Sequence, residues 1–433
     1  MPETFDELNK RTQQRDLVAR QRMMRRKREK FLRMATMISI AAVCLLIVVV
    51  LIVRGFRGDP QANTTQTTTT TQSTTQSTAP TEPMDPETVI NLTFGGDLNV
   101  TDLVVSSGQT GGNYDYTQVL MDAAALFASA DAAFLNLEGN VNGAPYGTAS
   151  ASAPQELLEA LAAAGVDIIQ LANSFTIRNG LTGLQSTVNA VHSAGMRPVG
   201  AFPGAEDFQS SQGFTLCNIG GIKVAIVAFT KGMDGMSLPM GGEHCVNLLY
   251  QDYATTYQKV NTEGITSVLR AAQAQKPDVT IALVHWGSEF NDSISPTQKA
   301  IAQLMIDEGV DAIVGTHSHF VQQIVFDPDA GTVVAYSLGD FFGNGEKAGT
   351  NYSILLHLQI TRDNRTGETK ITGCDYTGLY TLTPDKDGEP MRIVQIETAM
   401  ALYENDHVSK VSAAAYANMQ YAWQRILSRV NPE

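Results

Sequence analysis

The sequence predicts an α/β fold in which layered sheets are flanked by helices, preceded by one transmembrane helix. Two observations predict this class. From about residue 88 onward, short apolar runs rich in branched residues alternate with Ala-rich amphipathic segments, which is the pattern of sheets covered by helices. Before that region, residues 34–53 form a run of 20 residues without a charge, a proline or a glycine.

The alternating region divides into candidate strands and helices by hydrophobic pattern and by glycine stops such as Gly165 and Gly195. The predicted strands are Val89–Phe94, Ala132–Leu137, Asp167–Leu171, Lys223–Phe229, Val279–Val284, Ala312–Gly315 and Val333–Leu338. The predicted helices are Tyr116–Ala128, Pro154–Ala164, Leu181–Ala194, Tyr253–Ala274 and Pro296–Glu308. Further on, the predicted elements are strands at Tyr352–Ile360 and Arg392–Glu397 and a closing amphipathic helix at His407–Val430.

The apolar run 34–53 predicts a transmembrane helix, because 20 residues at 1.5 Å per residue span about 30 Å of hydrocarbon. A buried core helix rarely stays apolar on every face for this length, and a cleaved signal peptide has an apolar region of only ~7–15 residues. The basic cluster just before the run keeps the N-terminus cytoplasmic by the positive-inside rule. We therefore expect a single-pass cell-membrane protein that contacts membrane lipid through residues 34–53 and has an extracellular C-terminal domain.

The charge of the chain is strongly asymmetric about this segment. The net charge is −14 over 433 residues, but residues 1–33 hold 11 Lys/Arg and 5 Asp/Glu, whereas residues 58–433 hold 17 Lys/Arg and 39 Asp/Glu. The large acidic part excludes a general nucleic-acid binder, so no nucleic-acid partner is expected. The basic tail sets topology and touches anionic lipid, with a specific cytoplasmic partner as the alternative.

These features predict five regions. Residues 60–86 contain 11 Thr and 4 Gln and almost no large apolar side chain, which predicts a disordered tether. The predicted regions are a basic cytoplasmic tail at 1–33, a transmembrane helix at 34–53, a Thr/Gln-rich linker at 54–87, the main domain at 88–348, and C-terminal strands with a closing helix, packed on the same domain, at 349–433.

Polar and metal-capable side chains cluster where the predicted strands end, and strand ends form the binding crevice of open α/β sheets. These residues are Asp97, Asn136, Glu138, Asn173, His285, His317 and His319. Each histidine taken alone is more often an ordinary polar residue in a loop. Together with the carboxylates, they predict a site for one or two divalent ions such as Mn, Zn or Fe.

Five short motifs in these positions resemble those of the bacterial capsule-synthesis proteins of the CapA/PgsA type. The motifs are FGGDLN, NLEGNV, HWGSEF, GTHSHFVQ and YSLGDFF, in the family's order between Val89 and Phe342. That family is linked to poly-γ-glutamate capsules and is built on a calcineurin-like metallophosphoesterase fold. The resemblance therefore implies a metallophosphoesterase-like arrangement of the layered sheets.

Carried over residue by residue, the resemblance implies a metal site at Asp97, Glu138, His285, His317 and His319. It further makes Asn173 and His285 the candidate catalytic residues. The candidate substrate-binding residues are Arg178, Trp286 and Glu289, although an aromatic residue after a strand is more often part of the packing.

One motif departs from the family's pattern. Where the family has LANNH-x-x-D-x-G, this chain has LANSFTIRNG, so Ser174, Phe175 and Arg178 replace an asparagine, a histidine and an aspartate. Phe175 can neither protonate a leaving group nor hold a phosphate oxygen, and loss of a general acid lowers a rate by about 10²–10⁴. Arg178 could instead bind an anionic group.

Three functions remain open from the sequence. The first is a membrane-anchored protein in synthesis, export or attachment of an anionic surface polymer such as poly-γ-glutamate, working with polymer-synthase membrane subunits. The second is a metal-dependent phosphoesterase or hydrolase of the cell envelope. The third is a non-catalytic scaffold that keeps the same fold, so the sequence leaves enzymatic activity undecided.

Overall fold

Two mixed β-sheets that pack face to face organise the part of the chain that the computed structural model describes, residues 85–342, 347–383, 391–406 and 411–431. The strands are β1 Glu87–Asn99, β2 Gln109–Thr110, β3 Asn113–Tyr114, β4 Ala132–Glu138, β5 Ile168–Gln170, β6 Arg197–Val199, β7 Phe214–Ile219, β8 Ile222–Thr230, β9 Val279–His285, β10 Ala312–Thr316, β11 Ile324–Asp327, β12 Thr332–Ala335, β13 Asp340–Phe342, β14 Tyr352–Asp363, β15 Thr369–Leu382 and β16 Arg392–Gln395. The helices are α1 Asp102–Ser107, α2 Thr117–Ala128, α3 Gln155–Ala164, α4 Gly180–Ser193, α5 Ala205–Ser211, α6 Thr262–Ala274, α7 Pro296–Asp307, α8 Ile396–Asp406 and α9 Ala413–Val430.

The first sheet has the order β16-β15-β14-β1-β4-β5-β6, with β13 paired to β1 beside this path. Strands β1, β4, β5 and β6 run parallel, while β14, β15 and β16 extend the sheet in antiparallel fashion. The second sheet has the order β11-β12-β10-β9-β8-β7, with a parallel centre and antiparallel edges. A parallel centre collects the carboxyl ends of its strands at one edge, where ligands bind in open α/β sheets.

The alternation of side chains in the second sheet shows how the layers are stacked. On β8, Val224 and Ile226 belong to the large apolar cluster that also contains the first sheet, whereas Val227 and Phe229 belong to a second cluster with α6 and α7. Successive residues of a strand point to opposite faces. One face of the second sheet therefore packs on the first sheet and the other is covered by helices.

A bulge in β1 brings its polar end next to β13. The pairing of β1 with β4 shifts register between Phe94 and Asp97, across the pair Gly95-Gly96. A Cβ atom at Gly96 would lie 1.8 Å from the carbonyl oxygen of Gly339, so a residue without a side chain is required there. Because of this close approach, Asp97 pairs directly with Asp340.

The predicted strands and helices of the alternating region are confirmed, with differences at their ends. The helix predicted from Tyr253 begins only at Thr262, because the Asp252 carboxylate accepts from the backbone of Gln258 and Lys259 and holds a non-helical turn. The strand predicted from Val333 to Leu338 already ends at Ala335.

The C-terminal region contains the larger errors of prediction. The strand predicted at Arg392–Glu397 stops at Gln395 and continues as α8, and the long strand β15 was not predicted. The closing helix begins at Ala413, where the Ser412 side chain accepts from the backbone N–H of Ala415 and caps it. Residues 407–410 of the predicted helix lie outside the described residues.

Residues Pro86–Glu433 form one compact unit. The predicted tail, transmembrane helix and most of the linker, residues 1–84, lie outside the described residues. Within the described ranges, no helix is both long and apolar enough to cross a membrane.

Candidate metal centre and adjoining cavity

Six metal-capable side chains meet between the two sheets and form two groups. Glu138, His285 and His317 form one group, and Asp97, His319 and Asp340 form the other, with the potential ligand atoms of each group within 4.8 Å of one another. The structure thus brings together the five ligands predicted from the sequence and adds Asp340. We call these six residues the ligand cluster.

The strand ends explain why distant residues meet here. The first sheet supplies its part of the ligand cluster from β1, β4 and β13, and the second sheet supplies His285 from β9 and both other histidines from the loop after β10. Every member is at most 9% exposed. Buried ionisable groups are rare unless they are paired or bind a metal.

Asp97 ties the two sheets together at this point. Its Oδ1 accepts a hydrogen bond from Asn136 Nδ2 at 2.6 Å, and its Oδ2 accepts from the backbone N–H of His317 at 2.9 Å. The second bond fixes the loop in which His317 has a φ of +91° and His319 a φ of +60°. Positive φ is unfavourable for residues other than glycine, so this loop holds strain of about 1–3 kcal/mol per residue.

Hydrogen bonds also orient two of the imidazole rings. His285 Nδ1 lies 3.0 Å from Thr316 Oγ1, and its Nε2 lies 3.0 Å from Glu138 Oε1. His319 Nδ1 lies 2.8 Å from Asp340 Oδ1. On His319 the carboxylate at Nδ1 fixes the ring and leaves Nε2 for a ligand, as in many histidine metal sites, whereas both ring nitrogens of His285 already have neighbours.

Burial and mutual repulsion shift the pKa values of the acidic members. Burial raises the pKa of Glu138 to about 8 despite the opposing influence of His319. Burial, reinforced by the charge of Glu138, raises the pKa of Asp97 well above its usual range, and burial also raises that of Asp340. Carboxylates that resist ionisation in this way are typical of functional sites.

The histidines divide into two kinds. Burial lowers the pKa of His285 and of His317 well below the usual range, so both rings are neutral at pH 7. For His319, burial is outweighed by the charge and hydrogen bond of Asp340 and by Glu138, and the pKa rises to about 10. Neutral imidazole is the form that binds a metal.

Among the residues that the structure describes, three buried polar atoms of the ligand cluster find no hydrogen-bond partner, namely Glu138 Oε2 and both ring nitrogens of His317. A buried group without a partner costs about 1–3 kcal/mol. Imidazole nitrogens and carboxylate oxygens suit Mn, Zn or Fe. The donor set and its unsatisfied atoms therefore fit one or two divalent ions.

A cavity of about 270 Å³ opens beside the ligand cluster. Its lining includes Ser174, Lys231, Asp234, Tyr257, Glu289 and His317. His317 belongs to both the ligand cluster and the cavity, so a molecule in the cavity would contact the candidate metal centre.

Of the predicted substrate-binding residues, Glu289 lines this cavity, whereas Arg178 is not part of the lining and lies 3.9 Å from the carboxylate of Asp234, which is. Trp286 requires a correction. Its ring is fully buried, stacks on Tyr336 at 5.7 Å and donates Nε1–H to the Tyr336 carbonyl at 2.9 Å. All its polar capacity is used in packing, so it does not face a substrate.

Asn173 is also placed differently from the catalytic prediction. Its Nδ2 donates to Asn136 Oδ1 at 2.9 Å and to the Leu137 carbonyl at 2.7 Å, while its Oδ1 accepts from the backbone N–H of Phe175 at 2.9 Å. The side chain is buried and fully used in shaping the turn. It supports the ligand cluster through Asn136, which holds Asp97, and does not reach the cavity.

The departing motif lies against the ligand cluster. Ser174 Oγ is 3.2 Å from His285 Nε2, so the serine occupies a place beside a candidate ligand. His285 is fully buried, and its nitrogens already contact Glu138, Ser174 and Thr316. His285 is not part of the cavity lining, so it does not meet a substrate there, but it belongs to the group with Glu138 and His317 that could hold a metal.

Sequence reasoning missed two residues of the site. Asp340 was not among the predicted ligands, yet it lies 2.8 Å from His319 in the ligand cluster. Lys231 was overlooked, although it directly follows β8 and thus satisfies the same strand-end rule that found His285. Its short neighbours Thr230 and Gly232 gave no motif to draw attention to it.

The fold and site define an α/β protein of two packed sheets with a buried candidate metal centre at the strand ends. The sequence model of the family described as "Bacterial capsule synthesis protein PGA_cap" matches residues 91–344, which is more than half of the chain. The chain belongs to this family. The resemblance found from the five motifs is thereby confirmed.

Two curated relatives are each similar to about half of the chain. "Capsule biosynthesis protein CapA" of Bacillus anthracis is 29% identical over 222 residues, covering 50% of this chain and 49% of the relative. "PGA biosynthesis protein CapA" of Bacillus subtilis is 25% identical over 225 residues, covering 50% of this chain and 52% of the relative. The chain thus spans about half the length of these relatives.

Among solved structures, a novel phosphatase of Mycoplasma pneumoniae is similar with 14% identity and a TM-score of 0.40, covering 67% of this chain and 94% of that chain. A hypothetical protein of Thermus thermophilus is similar with 13% identity and a TM-score of 0.40, covering 67% and 98%. Since both TM-scores lie below 0.5, nothing about this chain is concluded from them.

Proposed function

We propose that this chain is a membrane-anchored, extracellular protein that acts in the synthesis, export or attachment of a capsular polymer, with poly-γ-glutamate as the polymer. Membership of the capsule synthesis family supports this role. The predicted membrane segment 34–53 and the basic residues before it support the location. The polymer-synthase subunits of the membrane are the proposed partners.

The observation that carries the site of action is the set of buried, unsatisfied atoms in the ligand cluster. His317 offers two ring nitrogens without a partner and Glu138 one carboxylate oxygen. Because such atoms destabilise a fold unless something binds them, we propose that the ligand cluster holds one or two divalent ions. The ligands would be Glu138, His285, His317, Asp97 and His319, with Asp340 as a ligand or as the orienting partner of His319.

A bound divalent ion would supply a positive charge that polarises a phosphoryl or acyl oxygen or lowers the pKa of water. The chain itself keeps this centre dry, since all six members of the ligand cluster are buried. Phe290 stacks on the His319 ring at 5.0 Å and shields it from solvent. We propose that a substrate molecule approaches the centre from the cavity, because His317 is the member of the ligand cluster that lines it.

A second candidate function is metal-dependent hydrolysis at the same centre, favoured by the cavity that adjoins His317. The replacement of the family's histidine by Phe175 opposes efficient catalysis, because the phenyl ring cannot donate a proton. A slow hydrolase and a non-catalytic binder of the polymer are distinguished by restoring that histidine. Activity that appears only in the double variant Ser174→Asn, Phe175→His identifies the natural chain as a binder.

Elemental analysis of the full-length protein purified in detergent tests the metal proposal directly. We expect one or two divalent ions per chain, and none or fewer in Glu138→Gln. The matched control is Glu159→Gln, which removes the same charge from the surface of α3. Metal-free protein after purification under Mn, Zn and Fe supplementation would contradict the proposal.

Capsule function requires a cellular measurement. A strain that lacks this gene should lose surface polymer, and complementation with the Glu138→Gln variant should fail at equal protein level. Restoration of full polymer by this variant would show that the ligand cluster is dispensable for the proposed role. The polymer is identified by hydrolysis and amino-acid analysis, where glutamate is expected.

A further inference from the structure

Lys231 is held at the edge of the ligand cluster by contacts on both its backbone and its side chain. Its backbone N–H donates to the His285 carbonyl at 2.8 Å, which places it directly beside β9. Its Nζ donates to the Gly287 carbonyl at 2.9 Å and lies 4.4 Å from the centroid of the Tyr257 ring. The ammonium group is therefore fixed on the wall of the cavity and is not a mobile surface charge.

Within the described ranges, the charge of Lys231 lacks an ion-pair partner. Among the described residues, the ion pairs found do not include Lys231, and Gly287 is the hydrogen-bond acceptor of its ammonium group. An ammonium group has three N–H donors, and one hydrogen bond leaves donors available.

The two acidic residues of the cavity are more exposed to solvent than Lys231 and are not held beside the ligand cluster in the same way. Asp234 is 71% exposed and lies 3.9 Å from the Arg178 guanidinium, so its charge is both solvated and paired. Glu289 is exposed and faces the same cavity as Lys231. Of these charges, Lys231 is the one that is partly desolvated and held rigidly beside His317.

We infer that the cavity beside the ligand cluster binds a single anionic group, a carboxylate or a phosphate, and that Lys231 is the residue that binds it. The identity of the group as part of a capsular polymer rests on the proposed function, whereas the role of Lys231 does not. Glu289 opposes binding of the anion and sets an upper limit on its affinity.

The size of the cavity limits what can occupy it. A volume of about 270 Å³ lies at the lower end of the ~300–1,000 Å³ range of small-ligand pockets. One glutamate-sized unit or one phosphate with its ester fits this space. Residues 58–433 carry a net charge of −22, from 17 basic and 39 acidic residues, so a fixed local cation such as Lys231 is needed to hold an anionic group there.

Isothermal titration calorimetry of the full-length protein in detergent tests this inference with two probes, glutarate for a carboxylate and inorganic phosphate for a phosphoryl group. Lys231→Gln should weaken binding of the preferred probe by about tenfold to a hundredfold, the value of a charge-assisted hydrogen bond. Glu289→Gln should strengthen it several-fold. The matched control Lys370→Gln removes an exposed lysine that pairs with Glu368, and should bind like the wild type.

The affinities of the two probes for the variants decide which anionic group the cavity binds and whether Lys231 binds it. A Lys231-dependent preference for glutarate supports a carboxylate ligand, and one for phosphate supports a phosphoryl ligand. Equal affinity of Lys231→Gln and Lys370→Gln for both probes, or no binding of either probe to the wild type, would overturn the inference. Metal content measured on the same samples separates the Lys231 inference from the metal proposal. If the protein binds a probe through Lys231 but never takes up metal, the metal proposal fails and the Lys231 inference stands.

Discussion

Replacing His317 with glycine should remove stabilisation by metal while the metal-free fold loses little. His317 has two buried ring nitrogens without a partner and a φ of +91°. Glycine adopts this backbone conformation without strain and carries no polar side chain. The variant thus removes the unpartnered ring nitrogens and the backbone strain of the native loop, but it also loses the packing of the imidazole ring.

The expected magnitudes follow from these features. The unsatisfied nitrogens cost about 1–3 kcal/mol each, and positive φ adds about 1–3 kcal/mol. Loss of the ring, whose centroid lies 4.5 Å from that of His285, opens a void that costs about 2–5 kcal/mol. These effects are opposite in sign, so without metal the free energy of unfolding should change far less than for an ordinary buried side chain.

Metal reverses this balance. At a metal concentration of about 1,000 times the dissociation constant, the wild type gains about 4 kcal/mol from binding. The variant lacks a ligand and should gain little. The difference in stability between the two proteins should therefore widen by several kcal/mol when metal is added.

Urea unfolding of residues 86–433, with EDTA and then with Mn or Zn, measures this double difference. His192→Ala serves as the control, because it removes an exposed histidine near the end of α4 and should respond to metal like the wild type. A stability gap between wild type and His317→Gly that is the same with and without metal would refute the reasoning.

Three further predictions concern the frame of the site. Gly96→Ala should destabilise the fold by about 3 kcal/mol or more in thermal unfolding, because the added Cβ would lie 1.8 Å from a backbone oxygen. The control Gly112→Ala meets no atom within 4 Å and should lose only the ~1–2 kcal/mol that a positive φ costs a residue with a Cβ. A similar loss for both variants would contradict this. Burial raises the pKa of Asp311 to about 6, so the folded state binds more protons than the unfolded state between about pH 4 and 6, and the free energy of unfolding should fall by up to about 3 kcal/mol as pH rises across that window. Asp311→Asn should remove that part of the slope in urea titrations at several pH values, and an unchanged slope would show that other groups cause it. Arg429 lies 3.0 Å from Asp292 and is 10% exposed, so a double-mutant cycle with Arg429→Gln and Asp292→Asn should give a coupling of about 0.5–2 kcal/mol, with additivity as the contrary result.

Much of the central fold was predictable because its signals are local. Strands that lead to the candidate ligands, such as β4, β9 and β10, are nearly continuous apolar runs, as expected for strands buried on both faces. Helix ends followed from single residues such as Gly165, which takes a φ of +106° after α3. These features require no knowledge of distant contacts.

Errors arose where distant contacts decide the structure. The strand β15 carries a mixed polar and apolar pattern, and it is a strand because β14 and β16 pair with it on either side. The start of α6 was misplaced because the Asp252 carboxylate organises the preceding turn. Neither partner can be identified from the periodicity of the segment itself.

The same division applies to the site. Asp97, Glu138, His285, His317 and His319 were found because parallel strands present their ends at one edge, a rule that needs only the strand pattern. The burial of Trp286 and the structural use of Asn173 depend on Tyr336 and Asn136, which lie far away in sequence. The residue types of Trp286 and Asn173 suggested a functional role for each. Their tertiary contacts show that both side chains have a structural role instead.

The family, the alternating α/β pattern and the residue types of the candidate metal centre follow from motifs and periodicity, which are properties of neighbouring residues. Three facts come instead from the packing of the described residues: Asp340 joins the ligand cluster, both ring nitrogens of His317 lack a hydrogen-bond partner there, and Lys231 lies on the cavity wall. Those facts depend on how closely two sheets approach and on which atoms are removed from water. Burial and distance are set by the packed fold, and no stretch of sequence specifies them alone.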